Sequence, residues 1–252
     1  MIVKTAVITG FGINADRELE KAFSFAGSDA TRIHIQDFIE STAMIQNYHI
    51  LAFPGGFSFG DHLGSGLVFA HLFRKNLKTE LEKFINSGKL IIGICNGFQV
   101  LVKMGVIPNF KGDWTPEVSL IHNDTGVFEN SWLKVSFNKK TKCIWTKDLD
   151  EMDIPIRHGE GRFVTLSDTI LEKIENENLV AVRYFDRNPN GSVNNIAGIT
   201  DTTGRIFGLM PHPEAFICPE NHPRWTSEKI TEGEGIKIFK NGINYIKENF
   251  SS

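Results

Sequence analysis

The sequence has little of what marks several large protein classes. It holds only three cysteines, Cys95, Cys143 and Cys218, and none stands in a C-x-x-C spacing. Neither a disulfide framework nor a zinc site follows from them, and the expected compartment is the cytoplasm. No apolar run approaches the roughly 20 residues that a membrane span needs. The opening Met1-Ile2-Val3-Lys4-Thr5-Ala6-Val7-Ile8-Thr9-Gly10 has no basic segment ahead of a long apolar one, so it reads as a first strand and not as a leader. Cationic surplus is missing too. A formal net charge of -3 offers nothing to hold nucleic acid or an anionic membrane, and neither is expected as a partner. No histidine–carboxylate cluster has metal-ligand spacing, so no metal site is expected.

Two phosphate-binding signatures are incomplete. Gly10-Phe11-Gly12 lacks the third glycine of the dinucleotide fingerprint and reads as a tight turn between strand and helix. The run from Pro54 to Gly66 carries five glycines in thirteen residues but has no G-K-[ST] ending.

What is present describes an ordinary globular chain. Its 252 residues are 41% hydrophobic and 23% charged, enough for one α/β core, and without repeats or linkers a single domain over 1–252 is expected. Strand-like runs at 2–9, 31–36, 48–53 and 89–92 alternate with helical ones, namely a helix to about Gly27, a short helix or loop over 37–47, a long helix over 66–87 and another over 99–104 that ends at Gly105. That alternation predicts a doubly wound, mostly parallel sheet with flanking helices, of flavodoxin-like type. Ligands would bind at the carboxyl ends of its strands. From Pro108 the character changes. Strand-like runs at 116–121, 131–137 and 142–145 indicate a small antiparallel extension. A helix near 166–177 follows, then strands at 179–184, 194–200 and 205–210 and a final helix over about 230–249.

The chain is organised around Gly93-Ile94-Cys95-Asn96-Gly97-Phe98-Gln99. A cysteine between a buried strand and a helix, with glycine two residues to either side, is a nucleophile elbow carrying sulfur. The turn strains the backbone, and side chains at the flanking positions would collide. The thiol sits at a helix N-terminus, but a dipole worth roughly 0.3–1 kcal/mol moves a thiol pKa by less than about one unit. A reactive cysteine here also needs a base. Met210-Pro211-His212-Pro213-Glu214 supplies a candidate. His212 would take the thiol proton, and Glu214 would orient the imidazole. The glycine loop at 54–66 leaves another strand end of the same sheet and suits an oxyanion hole. A lone cysteine is more often a buried apolar residue; the three segments together raise Cys95 above that reading. Cys143 and Cys218 have no such setting. His34, His49, His71, His122 and His222 read as surface or hydrogen-bonded positions, while His62 and His158 lie in glycine-rich loops that draw attention.

These residues resemble the class I (triad) glutamine amidotransferases, whose elbow reads G-x-C-x-G. Within that class they are most similar to the glutaminase subunits of phosphoribosylformylglycinamidine synthase. The likeness rests on Phe53-Pro54-Gly55-Gly56-Phe57-Ser58-Phe59-Gly60-Asp61, the Cys95 elbow, His158-Gly159-Glu160-Gly161-Arg162-Phe163, Asn188-Pro189-Asn190-Gly191-Ser192 and the His212 segment. It implies attack of Cys95 on the side-chain amide of L-glutamine, a glutamyl thioester, and release of glutamate and ammonia. N–H groups of Gly56, Phe57 and Asn96 would hold the oxyanion. Gln99 and the backbone of His158, Gly159 and Glu160 would hold the other end of the substrate. The implied partner is an ATP-dependent synthetase subunit, with a further small subunit where the complex has one. ATP and Mg belong to that partner, and no cofactor is expected in this chain.

Three departures from the pattern touch the docking surface and not the triad. Ala215-Phe216 stands where arginine commonly follows H-P-E. His62-Leu63-Gly64-Ser65 stands where an arginine often follows Gly-Asp. Residues 217–225 look inserted. A protease- or deglycase-like cysteine hydrolase would carry histidine next to the cysteine, where this chain has Asn96. A partner-binding module that kept the fold but lost catalysis remains the third alternative.

Overall fold

The computed structural model describes residues 1–250; the last two residues of the expected 1–252 domain lie outside the described residues. Five parallel strands form one half of a nine-stranded sheet: β1 (Lys4–Thr9), β2 (Asp29–His34), β3 (Ile50–Phe53), β4 (Leu90–Ile94) and β11 (Ile206–Leu209). Four antiparallel strands complete it: β6 (Glu129–Phe137), β7 (Glu151–His158), β9 (Val180–Tyr184) and β10 (Ile196–Thr200). The order is β2-β1-β3-β4-β11-β10-β9-β6-β7. A separate antiparallel pair joins β5 (Val118–Ile121) to β8 (Arg162–Thr165).

Helices α1 (Asp16–Phe25), α2 (Ile35–Glu40), α3 (Leu67–Asn86), α4 (Asn96–Met104), α5 (Asp168–Asn176) and α6 (Ile236–Phe250) cover the sheet. The β1–α1–β2 crossover runs toward one edge, and β3–α3–β4 runs toward the other. Right-handed crossovers in opposite directions place their helices on opposite faces. Accordingly α1 packs with α6, and α3 with α2 and α4. Every residue of β3, β4 and β11 is buried, as expected of strands covered on both sides. The doubly wound, mostly parallel sheet expected from the sequence is therefore present, with its antiparallel extension. No described helix is long and apolar enough to cross a membrane.

Two local expectations are corrected, and one strand is additional. Residues 142–145 form no strand; Ile144–Thr146 is a 3₁₀ turn that drives Trp145 into the core. The last helix starts at Ile236 and not near 230. Gly233 and Gly235 lie directly against the backbone of Ile217–Cys218 and Pro213, where any side chain would overlap it, so the chain there packs flat before it coils. Strand β7 has no counterpart among the strands expected from the sequence, and Pro155 lies within it. It is the last strand of the sheet, where a missing N–H is tolerated.

Candidate active site

Strands β3, β4 and β11 are neighbours, and each delivers one part of the site from its carboxyl end. The glycine loop follows β3, Cys95 follows β4, and His212 lies three residues after β11. Cys95 has φ 51° and ψ -105°, a sparsely populated conformation for a non-glycine residue. The flanking glycines are required by contact. A side-chain carbon on Gly93 would stand 2.7 Å from the Gly97 carbonyl carbon, and one on Gly97 would run into the Phe53 carbonyl. Gly55 makes room for the imidazole, since a Cβ there would lie 2.8 Å from His212 Cε1 and 3.5 Å from Cys95 Cβ.

Cys95, His212 and Glu214 are 6%, 3% and 2% exposed, so their charges act in a low dielectric. His212 Nδ1 is 2.6 Å from Glu214 Oε1. Burial alone would push the imidazole pKa down. The neighbouring Glu214 carboxylate, and then Cys95, more than offset it and push the value up to about 10. His212 is thus a strong proton acceptor, next to the sulfur. The sulfur is turned aside, with Sγ 3.6 Å from the Arg157 carbonyl, and His212 Nε2 has no hydrogen-bond partner among the described residues. A thiol, an imidazole and a carboxylate in this relation can perform nucleophilic attack with proton transfer to a leaving group.

The unexpected strand β7 supports both reacting groups. Its Pro155 carbonyl accepts from the His212 backbone N–H at 2.8 Å, and its Arg157 carbonyl faces the thiol.

A cavity of about 270 Å³ opens over Cys95, with Gly56, Phe57, Gln99, His158, Gly159 and Glu160 in its wall. These six sequence-derived residues share one space with Cys95, while Asn96, His212 and Glu214 lie outside its lining. Asn96, fully buried at the first turn of α4, donates from Nδ2 to Gln99 Oε1 (2.9 Å), and Gln99 Nε2 donates to the Glu160 carbonyl (2.6 Å). The oxyanion assignment needs one correction. The Phe57 N–H donates to the Gly12 carbonyl at 2.9 Å, so Phe57 contributes its ring to the wall and not a free donor. The N–H groups of Gly56 and Asn96 have no protein acceptor among the described residues.

Two larger clefts contain neither Cys95 nor His212, although Glu214 borders the second. One of about 810 Å³ lies between residues 138–150 and α6, and one of about 600 Å³ lies behind Ala215. Size does not locate the reaction here. Of the two histidines singled out by their loops, His62 is exposed and outside the cavity wall, while His158 is in it. His222 is buried, with its ring centroid 5.0 Å from that of Trp132. Burial pushes the Cys143 thiol up to about 12, which leaves it inert.

Asp61 and Asn123 were missed by sequence reasoning. Asp61 lines the cavity, and burial raises its pKa. Asn123 Nδ2 donates to the carbonyls of His158 and Val127, both at 2.9 Å, and its Oδ1 accepts from the Gly161 N–H at 3.0 Å. With Oδ1 so placed, the 3.2 Å contact to His158 Nδ1 makes Nδ1–H the donor and fixes the neutral tautomer.

Burial, and then the His212 charge, push the His158 pKa from 6.5 down to about 4. Unfolding lets the ring take up a proton at any pH between those values. The resulting stability is present above about pH 6.5 and is lost as pH falls toward 4, with a ceiling of about 3 kcal/mol. A urea midpoint measured at pH 7 and pH 4.5 should fall more in the wild type than in His158→Asn. Equal falls would assign the effect to other groups.

Residues 2–246 match the family described as CobB/CobQ-like glutamine amidotransferase domain. A Dehalococcoides mccartyi protein named phosphoribosylformylglycinamidine synthase subunit PurQ is 39% identical over 98% of each chain. The Methanococcus maripaludis protein of the same name is 38% identical over 98% of this chain and 99% of its own. Among solved structures, a chain of PurLQS from Thermotoga maritima superposes with a TM-score of 0.75 at 31% identity, covering 98% of this chain and 100% of that one. A separate glutamine amidotransferase from Thermotoga maritima shares the fold, with a TM-score of 0.57 at 16% identity, 99% of this chain and 100% of that one being covered.

Proposed function

The chain belongs to the CobB/CobQ-like glutamine amidotransferase domain family, and from that membership we propose that it is the glutaminase subunit of a phosphoribosylformylglycinamidine synthase. The observation that supports the reading is the buried Cys95–His212–Glu214 set, whose Cys95 opens on a cavity walled by residues with unpaired backbone donors. Cys95 gives its thiol proton to His212, and its Sγ attacks the side-chain amide carbon of glutamine. The N–H groups of Gly56 and Asn96 take the negative charge that develops on oxygen, where fixed donors in a dry site stabilise it most. His212, protonated and steadied by Glu214, gives its proton to the departing ammonia. Water then attacks the glutamyl thioester, His212 takes up a proton, and glutamate leaves.

The far end of the substrate lies along Gln99 and the 158–160 backbone. The N–H groups of Gly159 and Glu160 donate to nothing else among the described residues and suit the α-carboxylate. Asp61 and Glu160 supply carboxylates for the α-ammonium. Ammonia passes to a synthetase subunit that uses ATP and Mg, in an assembly that includes a third, small subunit, and the complex works in the cytoplasm on the purine pathway. The whole chain acts as one glutaminase domain.

Exposure to 6-diazo-5-oxo-norleucine, with and without the synthetase, followed by peptide mapping tests this directly. The expected product is one adduct, on Cys95, prevented by glutamine and formed faster with the partner present. An unmodified, unoxidised Cys95 under both conditions would leave a binding module of the same fold.

A further inference from the structure

The turn Asn188–Ser192 is remote from the triad in sequence and supplies no reacting group, yet it ends on the loop that walls the cavity. Asn190 is fully buried. Its Nδ2 donates to the Gly161 carbonyl (2.8 Å) and lies 3.1 Å from the Tyr184 hydroxyl. Its Oδ1 accepts from the Ser192 hydroxyl at 2.6 Å and the Ser192 N–H at 3.1 Å. The Ser192 oxygen in turn accepts from the Phe163 N–H at 2.9 Å.

Asn123 holds the same loop from another side. Its N–H donates to the Gly159 carbonyl at 2.9 Å, its Nδ2 to the His158 carbonyl, and its Oδ1 accepts from Gly161 N–H. Gln99 takes the Glu160 carbonyl. All four carbonyls from His158 to Gly161 are thereby engaged, and so is the Gly161 N–H. The two N–H groups left without a protein acceptor among the described residues are those of Gly159 and Glu160, in the cavity wall. A peptide whose carbonyl is pinned on one side has its N–H fixed on the other, because the peptide unit is planar. Asn123 so fixes the Gly159 and Glu160 N–H groups through the His158 and Gly159 carbonyls, while Asn190 anchors the end of the loop at Gly161.

We propose that Asn123 and Asn190 are positioning residues that clamp the His158–Gly161 loop by its carbonyls, so that the Gly159 and Glu160 N–H groups are presented to the α-carboxylate of glutamine. This rests on the glutaminase reading above. The clamp acts on substrate capture and leaves the triad alone. Its loss therefore separates from triad damage in two measurements on the complex with the synthetase.

In Asn190→Ala, KM for glutamine rises roughly 10-fold or more, the scale of a lost buried donor, while kcat changes by less than about 3-fold. Alkylation of Cys95 by iodoacetamide, which has no α-carboxylate, keeps its wild-type rate. Asn123→Ala behaves alike. Ser192→Ala, which removes one hydroxyl, raises KM in the same direction by less, and it decides the matter if the asparagine variants do not fold. An unchanged KM in the folded variants overturns the clamp, as does an alkylation rate that falls together with kcat. A wild-type complex that neither hydrolyses glutamine nor is modified at Cys95 overturns the glutaminase reading itself, so the two failures are distinct.

Discussion

A Cys95→Ala variant in complex with the synthetase will support synthesis from ammonia but not from glutamine. Removing the nucleophile of a triad costs on the order of 10⁴-fold or more in kcat, because the remaining members have no covalent intermediate to serve. The fold should tolerate the change. Alanine occupies the same positive-φ conformation with the same Cβ, and the sulfur gives up only its 3.6 Å hydrogen bond to the Arg157 carbonyl. Loss of thermal stability should stay within about 2 kcal/mol, the cost of trimming a small buried group. Glutamine-dependent turnover within 10-fold of the wild type would remove Cys95 as nucleophile. Loss of the ammonia-dependent rate as well would show that the substitution damages docking, which the geometry does not predict.

The elbow was legible because its constraints are local. Strand, turn and helix occupy fifteen consecutive residues, and the two glycines are demanded by contacts between near neighbours and with β3. The His212–Glu214 spacing was legible for the same reason, since two side chains two residues apart meet within their own turn at 2.6 Å. What escaped depends on distant chain. Asn123 stands in an ordinary Asn-Asp-Thr-Gly turn, and only tertiary structure brings it to the 158–161 loop. Strand β7 pairs only with β6 at the end of the sheet, and only that long-range pairing makes its Pro155 carbonyl the anchor of His212. Phe57 looked like an oxyanion donor because glycine-rich loops leave N–H groups free, but the turn at Gly12 had already taken that one. Neighbouring residues determine which groups react; long-range hydrogen bonds decide which backbone donors remain for a substrate.

The elbow's second glycine carries the other large expected effect. Gly97→Ala should lower stability by about 3 kcal/mol or more, although alanine is favoured over glycine in a helix by about 1 kcal/mol. Gly97 lies in the first turn of α4, and its added methyl would meet the Phe53 carbonyl, carbonyl carbon and Cβ of β3. The first two are backbone atoms, and the Cβ is fixed to the backbone, of a fully buried strand paired on both sides, so they cannot rotate away as the end of a flexible side chain could. Relief requires α4 to slide off the sheet, against its own buried face of Phe98, Leu101 and Val102. For a chain of this size, 3 kcal/mol corresponds to a Tm about 6–12 °C lower. Any folded fraction should also lose activity beyond its loss of stability, because the same slide carries the Asn96 N–H away from the cavity. Gly27→Ala makes the contrast. That glycine has φ +98° and nothing within 4 Å of an added Cβ, so only backbone strain opposes it, and kcat/KM should be untouched. A Gly97→Ala protein with wild-type Tm would mean that β3 and α4 can separate freely, and the close approach would then have no part in holding the elbow.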